Sequence, residues 1–284
     1  MPMQPDTPAR ILAGEVLTSP GPRKQPRENN RHHSPELAED SGGVLMLGGK
    51  LAWMWVADGA SDMHAVSGFS SRLLAQDLGR LFTTSILENP VHQIESSARL
   101  AERLNRIVEG VAEAWNRHLD ANKETAVHLA RELEFLGQTP GIETGTPVFF
   151  EFASTFSTVC LDLEGRLAGA SMGDSYLLCN PNGLLQFFAL KKNTITLRLK
   201  MEEDAPVFTL SRPQPELFEN EAVDLAALAT DGCRDSFHNL HRVLPGNFQA
   251  TPENLALFRR ALGTEKPKTE DDKTLAWLGR IHAG

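Results

Sequence analysis

Ser154–Leu190 reads STFSTVCLDLEGRLAGASMGDSYLLCNPNGLLQFFAL. Four short runs, STFSTVCLDL, RLAGASM, SYLLCN and LLQFFAL, are punctuated by Glu164-Gly165 and by Asn180-Pro181-Asn182-Gly183. β-Branched and aromatic residues suit a pleated, half-buried backbone, and Gly or Asn-Gly supplies the positive φ of a tight hairpin. The stretch therefore predicts an antiparallel meander, with TITLRL (Thr194–Leu199) and APVFTL (Ala205–Leu210) as candidate extensions. One pair does not fit. Gly173-Asp174 stands inside a predicted hairpin arm, where a turn residue would break the ladder.

Working outward, GVLML and LAWMWVAD, between Gly42 and Asp58, flank a Gly-Gly-Lys turn and predict another hairpin. Val66, Phe69, Leu73, Leu74, Leu81, Phe82 and Ile86 then recur at helical spacing. A second helix is expected from Ser97, with Leu100, Leu104, Ile107 and Val111 on one face, and a third from about Lys123 to Phe135, closing at Gly137. Downstream, AVDLAALATD predicts a strand, followed by helices near Asp235–Val243 and at TPENLALFRRAL. In the latter Thr251 suits the N-cap and Pro252 the first helical position. EDDKTLAWLGRI closes the chain as a strand headed by two aspartates. Residues 1–36 are rich in Pro and polar residues, with only RILAGEVL (Arg10–Leu17) strand-like. The expected organisation is a flexible tail over residues 1–9 and a single α+β domain over residues 10–284, with two sheets and helices outside them.

Composition narrows the function classes. With 28 Lys and Arg against 37 Asp and Glu, the chain carries a formal charge of −9. That argues against a broad nucleic-acid footprint, which needs clustered cations. It also makes the protein a poor attractor of phosphorylated substrates unless cations are held locally. No apolar stretch approaches the roughly 18 residues of a spanning helix, and the first residues lack the layout of a secretory signal. Neither nucleic acid nor membrane is an expected partner. Cys160, Cys179 and Cys233 have no metal-type spacing, and an odd, sparse count fits buried, reduced thiols in the cytoplasm.

Chemistry gathers instead around carboxylates beside glycines at the ends of predicted strands: Asp58-Gly59, Gly173-Asp174 and Asp231-Gly232, with Asp271-Asp272 and Glu39-Asp40 heading strands. Each pair alone has an ordinary reading as a tight turn or helix cap. A strand, however, fixes the direction of its terminal residue, and an adjacent glycine lets a metal or phosphate approach the main chain. If the carboxylates converge, their hard oxygens select Mg²⁺ or Mn²⁺ over Zn²⁺. Two such ions can share a hydroxide and polarise a phosphoryl oxygen. They would also reverse the local negative field.

The ordered series ED, VADG, GDS, LATDG and DDKT resembles the motif series of the metal-dependent Ser/Thr protein phosphatases, the PPM or type 2C family, over nearly the whole chain from about residue 10. The resemblance implies an α-β-β-α sandwich: two packed antiparallel sheets flanked by helix pairs. It implies that Asp58 bridges two Mn²⁺ or Mg²⁺ ions, that the Gly59 carbonyl ligates one, and that Asp231 and Asp271 hold the first. Glu39 would reach the second through water, and Asp174 would contact a loosely held third. A metal-bound water would attack phosphoserine or phosphothreonine directly. The implied partners are a phosphorylated protein and a Ser/Thr kinase or its target.

Several positions depart from the family pattern. Pro35 stands where an Arg usually clamps phosphate, leaving Arg31, His32 or His33 to substitute. Ala60 occupies the place of a general-acid His, with His64 nearby. Tyr176 replaces the Arg after GDS, and Phe156 the Gly before Ser157-Thr158. With the unusual segment Lys191–Gln214, where the family has a substrate-side flap, these keep a second reading open: a catalytically weak or inactive regulatory or binding module of the same fold. Other phosphotransfer chemistries lack their residues. A haloacid-dehalogenase nucleophile needs an Asp two residues before another Asp at a strand end, where ATDGC has Ala229 and Thr230 instead, and no Gly-rich loop precedes a Lys-Ser/Thr.

Overall fold

A computed structural model describes residues 10–19, 39–60, 66–138, 148–234, 240, 244, 248, 251–263 and 272–282. The strands are β1 (Arg10–Ser19), β2 (Ser41–Leu47), β3 (Leu51–Ala57), β4 (Phe149–Ser154), β5 (Phe156–Asp162), β6 (Leu167–Met172), β7 (Tyr176–Cys179), β8 (Gln186–Ala189), β9 (Ile195–Glu202), β10 (Ala205–Ser211), β11 (Glu216–Asn220), β12 (Leu225–Ala229) and β13 (Lys273–His282). The helices are α1 (Ser71–Glu88), α2 (Ser97–Ala121), α3 (Lys123–Gly137) and α4 (Pro252–Gly263). All pairings are antiparallel. One sheet runs β1-β13-β12-β7-β8, a second β11-β6-β5-β3-β2, and a third, of three strands, β10-β9-β4.

The two five-stranded sheets face each other across an apolar interior. Met54, Val56, Val159 and Leu161 of one meet Leu177, Leu228, Ala276 and Leu278 of the other. The alternate residues Trp53, Trp55 and Phe156 point to the opposite face, where Leu74, Leu78 and Phe82 of α1 and Leu104 and Val108 of α2 cover them. With both faces covered, LAWMWVA is buried at every position, which is why it reads as a continuous apolar run rather than an alternation. Over the first sheet's outer face, Leu255 and Phe258 of α4 pack on Leu275 and Trp277. The α+β sandwich expected from the sequence is the observed architecture.

Local signals work as expected at several boundaries. Gly48 and Gly49 both take positive φ (57° and 66°), giving the β2–β3 hairpin its tight turn. The Thr251 hydroxyl accepts from the Asn254 N–H at 3.2 Å, capping α4. Helix α1, in contrast, begins later than its periodicity suggests. Ser70 is its N-cap, while Val66 and Phe69 bridge each other in the preceding turn. The expected helix over residues 235–243 and the tail over residues 1–9 lie outside the described residues.

The continuous meander is corrected. β5 and β6 form a hairpin in one large sheet, and β7 and β8 a hairpin in the other. The chain crosses between sheets at residues 173–175. TITLRL and APVFTL do not extend either; they become β9 and β10, pair with β4, and pack on α2 and α3 as core. Asn116 of α2 secures them, donating to the Phe208 carbonyl at 3.0 Å and accepting from its N–H at 2.8 Å. Edge strand β11 is not foreseen, because ELFEN has a weak apolar pattern and follows Pro213 and Pro215. Among the described residues, no helix is long and apolar enough to cross a membrane.

The seat of α1 on its sheet gives a test. A methyl group on Gly79 would lie 2.0 Å from the Trp55 ring, itself packed under the helix. Gly→Ala inside a helix ordinarily gains about 1 kcal/mol. Here Gly79→Ala should instead destabilise by about 1–3 kcal/mol through overpacking, read as a lower urea midpoint at unchanged m-value.

Candidate functional site

Five strand ends meet at one edge of the sandwich. The β2–β3 register pairs Ser41 with Ala57, which sets Glu39-Asp40 alongside Asp58-Gly59. The approach is close. A methyl group on Gly59 would lie 2.8 Å from the Glu39 carbonyl oxygen and 2.9 Å from that of Ser71, so only glycine fits there. In the facing sheet, Ala229 pairs with both Tyr176 and Leu275. Asp231, Asp174 and Asp272 therefore leave β12, β7 and β13 at the same end.

Two hydrogen-bonded links join the sheets there. The Thr230 hydroxyl donates to the Asp40 carboxylate at 2.7 Å, and its oxygen accepts from the Thr274 N–H at 3.0 Å. The Asp272 carboxylate accepts from the Glu39 N–H at 2.6 Å. Asp40 and Asp272 are buried. Each second acid of the ED and DDKT motifs thus ties the scaffold, beside the first acid that the resemblance made a ligand. Asp58 is held from the other side. Its N–H donates to Thr155 Oγ1 at 3.1 Å, and its carbonyl accepts from the Thr155 N–H at 2.8 Å. Ser70, rather than Asp58, caps α1, and Thr230 stands at the N-cap position of the turn Asp231–Cys233.

Asp174 and Asp231 line one cavity of about 400 Å³, with Tyr176, Gly232, Lys192 and Arg234. The Tyr176 ring stacks on Phe187 at 5.3 Å. Burial raises its phenol above the ordinary range; the Arg234 charge opposes this, and the Asp231 and Asp174 charges add to it. At neutral pH the hydroxyl is therefore a donor.

Glu39, Asp58, Gly59, Asp174 and Asp231 accordingly come to one edge. Asp271, His64 and the segment holding Arg31, His32, His33 and Pro35 lie outside the described residues. Among the described residues, no three His, Cys, Asp or Glu side chains form a group placed to hold a metal. Sequence reasoning missed Thr155, Thr230 and Thr274 as positioning residues, and Lys192 and Arg234 as cavity residues. The threonines beside Asp231 and within DDKT were a usable signal.

Stp1, a serine/threonine phosphatase from Staphylococcus aureus, superposes with a TM-score of 0.53 at 14% identity, covering 95% of both chains. A bacterial serine phosphatase gives 0.51 at 15% identity over 96% of this chain and 99% of that one. The fold is that of the PP2C-type phosphatases. The PP2C domain of SpoIIE from Bacillus subtilis agrees, with a TM-score of 0.52 at 12% identity over 98% of this chain and 65% of that one. The chain matches no protein-family model and no curated protein sequence.

Cysteine chemistry at this PP2C-type edge has little to work with. Cys233 adjoins Asp231-Gly232, yet burial, and after it the Asp40 charge, push its thiol up to about 12. Burial does the same to Cys179, also to about 12. Such thiols stay protonated at neutral pH and are poor nucleophiles.

Two measurements follow. Thr230→Val removes the hydroxyl between Asp40 and Thr274 while keeping shape, and should cost about 1–3 kcal/mol. A double-mutant cycle with Asp40→Asn should show strong coupling; additive losses would mean that the link contributes nothing. The thiols give a pH dependence. Their folded pKa values exceed the unfolded ones, so their contribution is complete below about pH 8.5 and is lost as pH rises toward the folded values. The thermal midpoint should fall across that range, less steeply in Cys179→Ala and Cys233→Ala.

Proposed function

We propose that this chain, as a single domain over residues 10–284, is a Mn²⁺- or Mg²⁺-dependent hydrolase of phosphoserine and phosphothreonine on proteins. The observation that carries the reading is the meeting of Glu39, Asp58-Gly59, Asp174 and Asp231 at one edge of a PP2C-type sandwich, fastened by Asp40–Thr230 and Asp272–Glu39.

The donor set fits hard divalent ions. All of its side chains offer carboxylate oxygen, and the passage between the Glu39 and Ser71 carbonyls admits only glycine at position 59, which keeps main-chain oxygen close to the acids. Asp58, the Gly59 carbonyl, Asp231 and Asp271 would hold two ions, Glu39 would act through water, and Asp174 would serve a third. When bound, such ions supply a hydroxide nucleophile at neutral pH and offset phosphoryl charge. The chain's own contributions are positional. Thr155 holds the Asp58 main chain from both sides, and Asp272 anchors that of Glu39. Tyr176 presents a protonated hydroxyl to the cavity. The nearby Cys233 thiol stays protonated and is a poor nucleophile, which agrees with direct attack by water. A Ser/Thr kinase or its target in the cytoplasm would supply the substrate.

The test compares wild type with Asp58→Ala and Asp231→Ala on p-nitrophenyl phosphate and a phosphothreonine peptide. Activity is expected only with Mn²⁺ or Mg²⁺, and is expected to fall to background in both variants. Independently of turnover, Mn²⁺ at about 100 times its Kd should stabilise wild type by about 2.7 kcal/mol and Asp58→Ala far less. Equal rates and equal metal-induced shifts in all three proteins would instead support a regulatory module.

A further inference from the structure

The acids at this edge pose an electrostatic problem that the cavity beside them answers. A phosphate monoester approaching the chain meets a protein of charge −9 and a wall carrying Asp174 and Asp231. Cations lining the same wall are what would turn a substrate phosphate inward. Two stand there: Lys192, between β8 and β9, and Arg234, on the turn that follows Asp231-Gly232.

We infer that Arg234 and Lys192, with the Tyr176 hydroxyl between their elements, form the phosphate-binding subsite of this cavity, specific for the phosphoryl group of a phosphomonoester. This rests on the hydrolase reading above and names the residues that would hold its substrate. Three observations support it. The three residues and Asp231 line one cavity of about 400 Å³, room for a phosphoryl group and part of its ester. They come from three separate segments, so donors can approach a tetrahedral anion from different directions. The donor types are complementary: a planar guanidinium fork pairs with two phosphoryl oxygens, an ammonium acts as a point charge, and a phenol gives one directed bond. Stacking on Phe187 fixes the phenol ring. The main chain of Arg234 is set too, its N–H donating to the Asp231 carbonyl, which couples the guanidinium's position to that of the acid.

The experiment measures kcat, KM and the inhibition constant of inorganic phosphate in Mn²⁺, on both p-nitrophenyl phosphate and a phosphothreonine peptide. The variants are Arg234→Ala, Arg234→Lys, Lys192→Ala and Arg31→Ala. For Arg234→Ala, KM and the phosphate inhibition constant should rise together by about tenfold on both substrates, with a smaller change in kcat. Lysine should restore part of the loss, and Lys192→Ala should show a smaller parallel rise. An effect on the peptide alone would overturn the proposal, because the residues would then read the peptide rather than its phosphate. Unchanged constants in an active enzyme, or a rise confined to Arg31→Ala, would overturn it as well. Should wild type prove inactive, the hydrolase reading fails separately, and phosphate binding followed by ³¹P NMR decides this one. Binding lost in Arg234→Ala upholds the subsite; no binding to wild type removes it.

Discussion

A buried hydroxyl, the Thr230 side chain, donates to the Asp40 carboxylate and accepts from the Thr274 N–H. The rest of the edge depends on this bond pair. Apolar sheet faces attract without direction, so the interior of Met54, Val56, Leu177 and Leu228 could be satisfied at several offsets of one sheet over the other. A buried carboxylate is not so tolerant, because losing its donor leaves a charge in a poor solvent. The link therefore sets the offset between the sheets. Glu39 adjoins Asp40, and Asp231 adjoins Thr230, so the same bond sets the distance between acids contributed by opposite sheets.

Thr155 plays the matching role within one sheet. It interrupts the run between β4 and β5, exchanges two hydrogen bonds with Asp58, and leaves its Cβ so near Gly173 that a methyl group there would sit 2.2 Å away. Gly173 has φ 154°, a conformation that residues with a Cβ rarely adopt. The glycine that seemed to spoil a hairpin arm is thus the point where the chain leaves one sheet for the other. The crossover delivers Asp174 to the edge that already holds Asp58. A strand end and a crossover share one contact, and two acids, Asp58 and Asp174, inherit their positions from it.

The layered architecture was legible in the sequence because periodicity reports burial directly. LAWMWVA has to be covered on both faces, and the stripe on Ser97–Ala121 has to be covered on one. The motifs at strand ends were legible for the same reason, since a carboxylate closing an apolar run is conspicuous. Partnership between sheets was not. STFSTVCLDL through SYLLCN looks the same whether consecutive strands share a sheet or change sheets, because register with distant strands such as β12 leaves no local trace. TITLRL was misassigned for that reason: its partner β4 lies some forty residues upstream. The division of labour within ED and DDKT was equally hidden. Adjacent residues on a strand point to opposite sides, so one of each pair can enter the scaffold while its neighbour stays near the surface, and sequence alone does not say which.

That division also bears on whether the edge is a working site or an inherited scaffold. The buried acids, Asp40 and Asp272, have structural duties that any stable member of this fold could retain. The half-buried ones, Glu39, Asp58, Asp174 and Asp231, bring negative charge to one edge. Arg234 and Lys192 offset part of it on the cavity side, yet they stand on turns and links that the apolar layers do not require. A regulatory scaffold would have no use for cations facing the half-buried acids. Acids on rigid strand ends, opposed across a small cavity by cations and a protonated phenol, suit an edge that takes up divalent ions and then an anion.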